Sequence, residues 1–197
     1  MSDSREEILR ALRAALPPPA PLPDLGSIGI RYPHLREQFA RSVAEVAGRC
    51  VFVPDNANIN DELEHLPEYA AARKIVSLVP GVRRANVDLA SVADGHSLAD
   101  VDFCVLPGEL GVAENGAVWV TERGVPHRAA WFLAQHVALV LPGSAIVSNL
   151  HEAYDRLAVG GAGFSIFISG PSKTADIEQA LVIGAQGPRS CTVLVLG

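Results

Sequence analysis

The 197-residue chain has no excess of positive charge, no paired cysteines and no apolar run approaching a membrane span. Sixteen Lys+Arg stand against 22 Asp+Glu, a formal net charge of -6, and no basic cluster interrupts that balance. Nucleic acid and anionic membranes are therefore not expected partners. Cys50, Cys104 and Cys191 are odd in number and scattered, with no Cys-x-x-Cys pair. That excludes a disulfide framework, a zinc site and a self-contained iron–sulfur site as expectations, and no metal is expected in this chain. Cys104 and Cys191 sit inside apolar runs and read as inert core thiols. Gly-x-Gly-x-x-Gly, Gly-x-Ser-x-Gly and His-x-x-x-His are all missing, and with them the dinucleotide, hydrolase and helical-metal fingerprints. The start, Met1 to Glu7, is polar and acidic, unlike a signal peptide, so a cytoplasmic protein is expected.

What is present is apolar bulk. Hydrophobic residues make up 49% of the chain and the mean hydropathy is +0.23, which implies a thick core rather than disorder. Ile8, Leu12 and Leu16 recur at four-residue spacing with Leu9 beside them, predicting an amphipathic N-terminal helix. Pro17 to Pro23, five prolines interrupted only by Ala20 and Leu22, forms a stiff spacer. The expected division is a helical arm and spacer over 1–23 and one α/β domain over 24–197. The arm's apolar stripe must pack on its own domain or on a sister subunit or other partner.

Beyond the spacer, strand-like and helical stretches alternate. Helices are expected over 35–47, 61–73 (capped by Asn60 or Asp61), 148–157 and 174–183. Strands are expected over 50–53, 74–79, 101–106, 116–120, 137–141, 164–168 and 192–196. Most of these strands lack alternating polar positions, as in a mainly parallel sheet covered on both faces. The class read from this is three-layer α/β.

Two segments carry the chemistry. In the first, the apolar strand 164–168 breaks at Gly170-Pro171 into Ser172-Lys173-Thr174, followed by Asp176 and Glu178. If a helix starts there, capped by Ser172 or Thr174, its amides, two hydroxyls and the Lys173 ammonium converge on an anion at the carboxyl end of the sheet. On that reading Lys173→Ala weakens anion binding and leaves folding alone. The plainer alternative is a capped turn with a solvated lysine. The second segment, Gly108 to Glu122, centres on the tight turn Glu114-Asn115-Gly116. Asn-Gly is a strong turn signal in its own right, while Glu114 is placed where a carboxylate could face a cleft.

The stretches GELGVAENGAVWVTE, IVSNLHEAYDRL, FISGPSKTADIEQALVIGAQGP and TVLVLG resemble the lactate-utilisation protein C family, built on the LUD domain. The resemblance is strong over the second half of the chain and weak over the first. It implies a fold like that of sugar-phosphate isomerases and CoA transferases, and a role in oxidising L-lactate to pyruvate beside separate iron–sulfur subunits. It implies a site at the loops Glu114–Gly116, Gly170–Thr174 and Gln186, and a small carboxylate or phosphate is expected to bind at Asn115, Gly116, Gly170, Ser172, Lys173, Thr174, Asp176 and Gln186. Family members usually carry histidine in the Gly-x-His-Gly block where this chain has Gln186, which hydrogen-bonds but does not titrate near neutral pH. In related CoA transferases a Glu-Asn-Gly turn bears the nucleophilic glutamate. The alternative function is accordingly a stand-alone acyl or sugar-phosphate enzyme using Glu114 as its catalytic residue.

Overall fold

The computed structural model describes residues 4–21, 28–54, 57–157, 163–177 and 180–197. A five-stranded, wholly parallel sheet forms its centre. It comprises β1 (Arg49–Val53), β2 (Ile75–Ser77), β3 (Phe103–Pro107), β6 (His136–Pro142) and β11 (Ser190–Leu196), in spatial order β1-β11-β6-β3-β2. These strands are apolar on both sides because both sides are covered. Along β6, Val137, Leu139 and Leu141 point to one core, and Ala138 and Val140 to the other.

On one side lie α3 (Ile59–Glu64) and α4 (Pro67–Ala71), which bury Leu63, Leu66, Tyr69 and Ala72 against Phe103, Val105 and Leu194. The sequence predicts one helix here, and the structure holds two. Pro67 has no amide hydrogen to continue the first helix and instead occupies the opening turn of the second. The cap of α3 is Asn58, whose side chain accepts from the Asn60 amide at 2.9 Å.

The opposite side is covered by α2 (Leu35–Glu45), α5 (Ala130–Leu133) and a second sheet in the order β7-β4-β5-β8. Its strands are β4 (Leu110–Val112), β5 (Ala117–Thr121), β7 (Ile146–Val147) and β8 (Ser165–Ile168). Here the period of two is legible: Val118, Val120, Ile166 and Ile168 face the main sheet. Ala117, Trp119 and Phe167 face outward, under α6 (Leu150–Arg156). The layers are therefore helices, parallel sheet, second sheet with helices, and α6 outermost. The mainly parallel α/β class holds, and the second sheet is an addition that strand-by-strand reading does not reveal.

The helix expected over 174–183 is an antiparallel hairpin of β9 (Lys173–Ile177) and β10 (Ala180–Ile183). Ile177 and Leu181 suit a helix face at i, i+4, but Val182 and Ile183 are β-branched and gain more from the extended backbone. Glu178, within the stretch expected to be helical, lies outside the described residues. The arm forms α1 (Ser4–Ala14) as expected, with Ile8 and Leu12 exposed and no residue buried. The body proper engages the chain from Ile30, whose carbonyl accepts from the Asn149 amide group at 3.0 Å. The boundary expected at residue 24 falls outside the described residues.

Candidate functional site

Three loops singled out by sequence come together in series. Ser169 donates its hydroxyl to the Asn115 carbonyl at 2.8 Å, which ties the Glu114–Gly116 turn to the end of β8. The Ser172 amide donates to the Pro188 carbonyl at 2.9 Å, and the Gly184 amide donates to the Ser172 carbonyl at 2.8 Å. These bonds close the Gly170–Ser172 loop onto the loop that bears Gln186. Between them opens a cavity of about 230 Å³, lined by Gly170, Pro171, Ser172, Gln186, Gly187 and Pro188 on the loop side.

The cavity sits by the first residues of β6 and β11, at the amino-terminal edge of the parallel sheet, not at its carboxyl edge. The reason is topological. β8 belongs to the second sheet, antiparallel to β5, and no helix follows it. The helix-dipole argument for an anion at Ser172–Thr174 therefore lapses. Thr174 and Asp176 lie on β9, where Thr174 is paired with Val182.

Lys173 is no mobile counter-charge. Its ammonium donates to the carbonyls of Val46, Ser169 and Pro171 at 3.0 to 3.1 Å, so all three protons are spent on backbone. It pins the turn against the end of α2. Lys173→Ala is accordingly expected to lower stability by about 1 kcal/mol in urea unfolding, with several exposed hydrogen bonds lost. Calorimetry with phosphate should return the same affinity for variant and parent. Reduced phosphate binding with unchanged unfolding would restore the anion reading.

Glu114 is exposed and lies outside the cavity lining; its amide donates to the Ser148 carbonyl at 3.0 Å. The turn it opens is built for packing. The Asn115 side chain accepts from the Ala117 amide at 3.1 Å, and Gly116, at φ +66°, lies flat against the backbone of α2.

The inner wall consists of residues that the sequence analysis did not name as ligands. Trp131 and Phe132 on α5, Val137, and Ile166 to Ile168 on β8 complete the cavity. Phe164 stands behind them, 6.1 Å from the Trp131 ring, with the Arg128 guanidinium 4.8 Å over its face. Glu122 holds this corner by accepting from the Phe164 amide at 2.6 Å and from Arg128, and these hydrogen bonds keep its carboxyl below the usual range. The signal that could have found the wall was the Trp131-Phe132 pair lying close before a strand. No described residue lining the cavity is charged.

The cysteines occupy three separate strands. Burial pushes Cys50 up to about 11 and Cys191 up to about 12, and it raises fully buried Cys104 as well. All three remain protonated at neutral pH. Among the described residues, no three His, Cys, Asp or Glu side chains gather closely enough to hold a metal ion, and no helix is long and apolar enough to cross a membrane.

His136 at the start of β6 shares a 2.8 Å hydrogen bond with Ser190 across the strand pair and stacks on Phe103. Burial, reinforced by Arg189, lowers its pKa against the opposing pull of Glu68 and Asp102. The folded state thus favours neutral imidazole, and below the unfolded-state value of about 6.5 the unfolded chain binds the extra proton. The His136 contribution is present above that value and is lost as the pH falls through the folded value. Urea midpoints should drop from pH 7 to pH 5, and His136→Gln should flatten that drop. An identical pH slope in the variant would remove His136 from the account.

A parallel five-stranded sheet, backed by a second mixed sheet and short helices, defines an α/β protein of one fold with a DUF162 family protein from Deinococcus radiodurans. The crystal structure of that protein superposes at a TM-score of 0.65, with 18% identity, over 83% of this chain and 96% of the other. The LUD domain model matches residues 70–196, and the chain belongs to the LUD domain family. Among its relatives, "Lactate utilization protein C" of Geobacillus kaustophilus (strain HTA426) is 31% identical over 167 residues, and that of Geobacillus thermodenitrificans (strain NG80-2) 29% over 168. Each alignment covers 79% of this chain but 66% of the relative, so the chain spans just under two thirds of their length.

Proposed function

We propose that this chain is a component of a cytoplasmic system that oxidises L-lactate to pyruvate, working beside partner subunits that carry the iron–sulfur clusters. Family membership and the names of its relatives support the pathway. The observation that carries the division of labour is the placement of the cysteines, one each on β1, β3 and β11, with no three His, Cys, Asp or Glu side chains gathered to hold a metal among the described residues. Iron–sulfur ligation requires clustered thiolates. On this reading the two electrons and two protons that leave lactate pass to the partners, and this chain contributes binding and docking. A stand-alone acyl or sugar-phosphate enzyme built on Glu114 draws less support, because that carboxylate is exposed and outside the cavity.

The test is a tagged chain recovered from lactate-grown cells. Iron–sulfur proteins should co-purify, the recombined set should oxidise lactate, and deletion of the gene should abolish growth on lactate. A coloured single-chain preparation that dehydrogenates lactate by itself would overturn the proposal. So would normal growth of the deletion strain on lactate.

A further inference from the structure

The N-terminal arm is not used by the body that carries it. Ile8, Leu12 and Leu16 are 60%, 59% and 69% exposed, and no residue of α1 is buried. An apolar stripe repeated at four-residue spacing has the anchor pattern of a helix laid in an apolar groove. The molecule contains such a groove. The cavity between α5, β8 and the Gln186 loop is walled by Phe132, Ile166, Phe167, Ile168, Pro171 and Pro188, and no lining residue among those described carries charge. Its space of about 230 Å³ suits a pair of aliphatic side chains rather than a whole helix. A charged ligand would shed its hydration there without meeting a counter-ion, whereas an aliphatic stripe gains by leaving water.

Arm and groove lie at opposite edges of one sheet. The body engages the chain at Ile30 and Tyr32, through Asn149 and Ser148, directly after β7. β7 is one edge of the second sheet, and β8, which walls the groove, is the other. Three strand spacings, about 14 Å, separate the two edges. The five prolines of the spacer stiffen the chain between arm and body. The arm therefore gains little of the high effective concentration that a flexible tether would give it for its own groove. The groove of a second copy can be reached without turning back across the sheet.

We infer that two copies of this chain exchange arms, α1 of each lying over the groove of the other with Ile8 and Leu12 seated between Phe132 and β8. Every copy carries one arm and one groove, so a two-fold axis satisfies both at once and the assembly closes as a dimer. The inference concerns self-association and does not depend on the lactate reading.

Sedimentation equilibrium on the full chain is expected to show a dimer. Leu12→Glu should weaken it at least about thirtyfold, as for loss of a central anchor, and leave the thermal midpoint of the body unchanged. Phe132 is 37% exposed, so Phe132→Glu should fold normally and weaken the dimer comparably. Cross-linking reads the direction of the contact. Isotopically light and heavy chains, each with p-benzoylphenylalanine in place of Leu12, are mixed at low concentration, concentrated and irradiated. Position 12 should join to peptides of the groove, with light and heavy chains joined to each other as often as like to like. A monomeric parent would overturn the inference, and so would a dimer that either glutamate variant leaves at full strength. Cross-links confined within single chains would overturn it in favour of an arm folded onto its own body.

Discussion

Gly116→Ala is expected to cost about 3–5 kcal/mol and to lower the thermal midpoint by about 6–20 °C. Two penalties combine. At φ +66° an alanine pays for a left-handed backbone conformation that glycine adopts freely. Its Cβ would also stand 2.7 Å from the Val43 amide nitrogen and 2.9 Å from the Ser42 carbonyl carbon. Both atoms are helix backbone, which cannot swing aside as a side chain does. Relief requires α2 to move, and that strains the 2.7 Å bond from the Ser42 hydroxyl to the Ala113 carbonyl. Gly124 is the control, at φ +73° with nothing within 4 Å of its would-be Cβ. Gly124→Ala should cost only about 1 kcal/mol. Scanning calorimetry on both variants decides it; equal losses would show that the turn does not press on α2.

Phe39→Ala should be comparably damaging, at about 3–5 kcal/mol. Phe39 on α2 is fully buried in the core shared by the two sheets. A Cβ at Gly111 would come 3.2 Å from its ring and 2.6 Å from Leu141, which shows how closely β4, β6 and α2 are pressed together there. Removing the ring leaves a void bounded by backbone that has no room to collapse further. Phe52 on β1 offers the contrast, being 41% exposed with the Arg36 guanidinium 4.9 Å over its ring. Phe52→Ala should cost about 1 kcal/mol. Urea unfolding that finds both phenylalanines equally dispensable would refute this view of the core.

Much of the frame was legible because it depends on local pattern. The apolar runs expected as strands over 101–106, 137–141 and 192–196 could only be satisfied between two covers, and they form β3, β6 and β11 of the parallel centre. The Asn115-Gly116 turn formed where its residues demanded. Other features misled for equally physical reasons. Pro67 divides one helical pattern into two helices. The stretch after Lys173 satisfies a helical period as well as a strand period, and its β-branched end decides for the hairpin. The short strands β4 and β7 carry too few residues to display any period.

The amino-acid sequence by itself determined the α/β class, the LUD domain family, the uncharged character of the Gln186 loop and the lack of any Cys-x-x-Cys pair. These are properties of composition and short-range order, which survive any arrangement of the elements. Tertiary structure decided what the conspicuous residues do. The bond from Lys173 to the Val46 carbonyl spans 127 positions and turns an apparent anion ligand into a clamp. The pairing of β8 with β5 carries the Gly170 loop to the amino-terminal edge of the main sheet, beside Trp131. Local propensity reports the cost of a backbone conformation over a few residues. Partners so far apart in sequence are chosen by the packing of whole sheets, and that choice made a neutral cavity of a segment that reads as a cationic one.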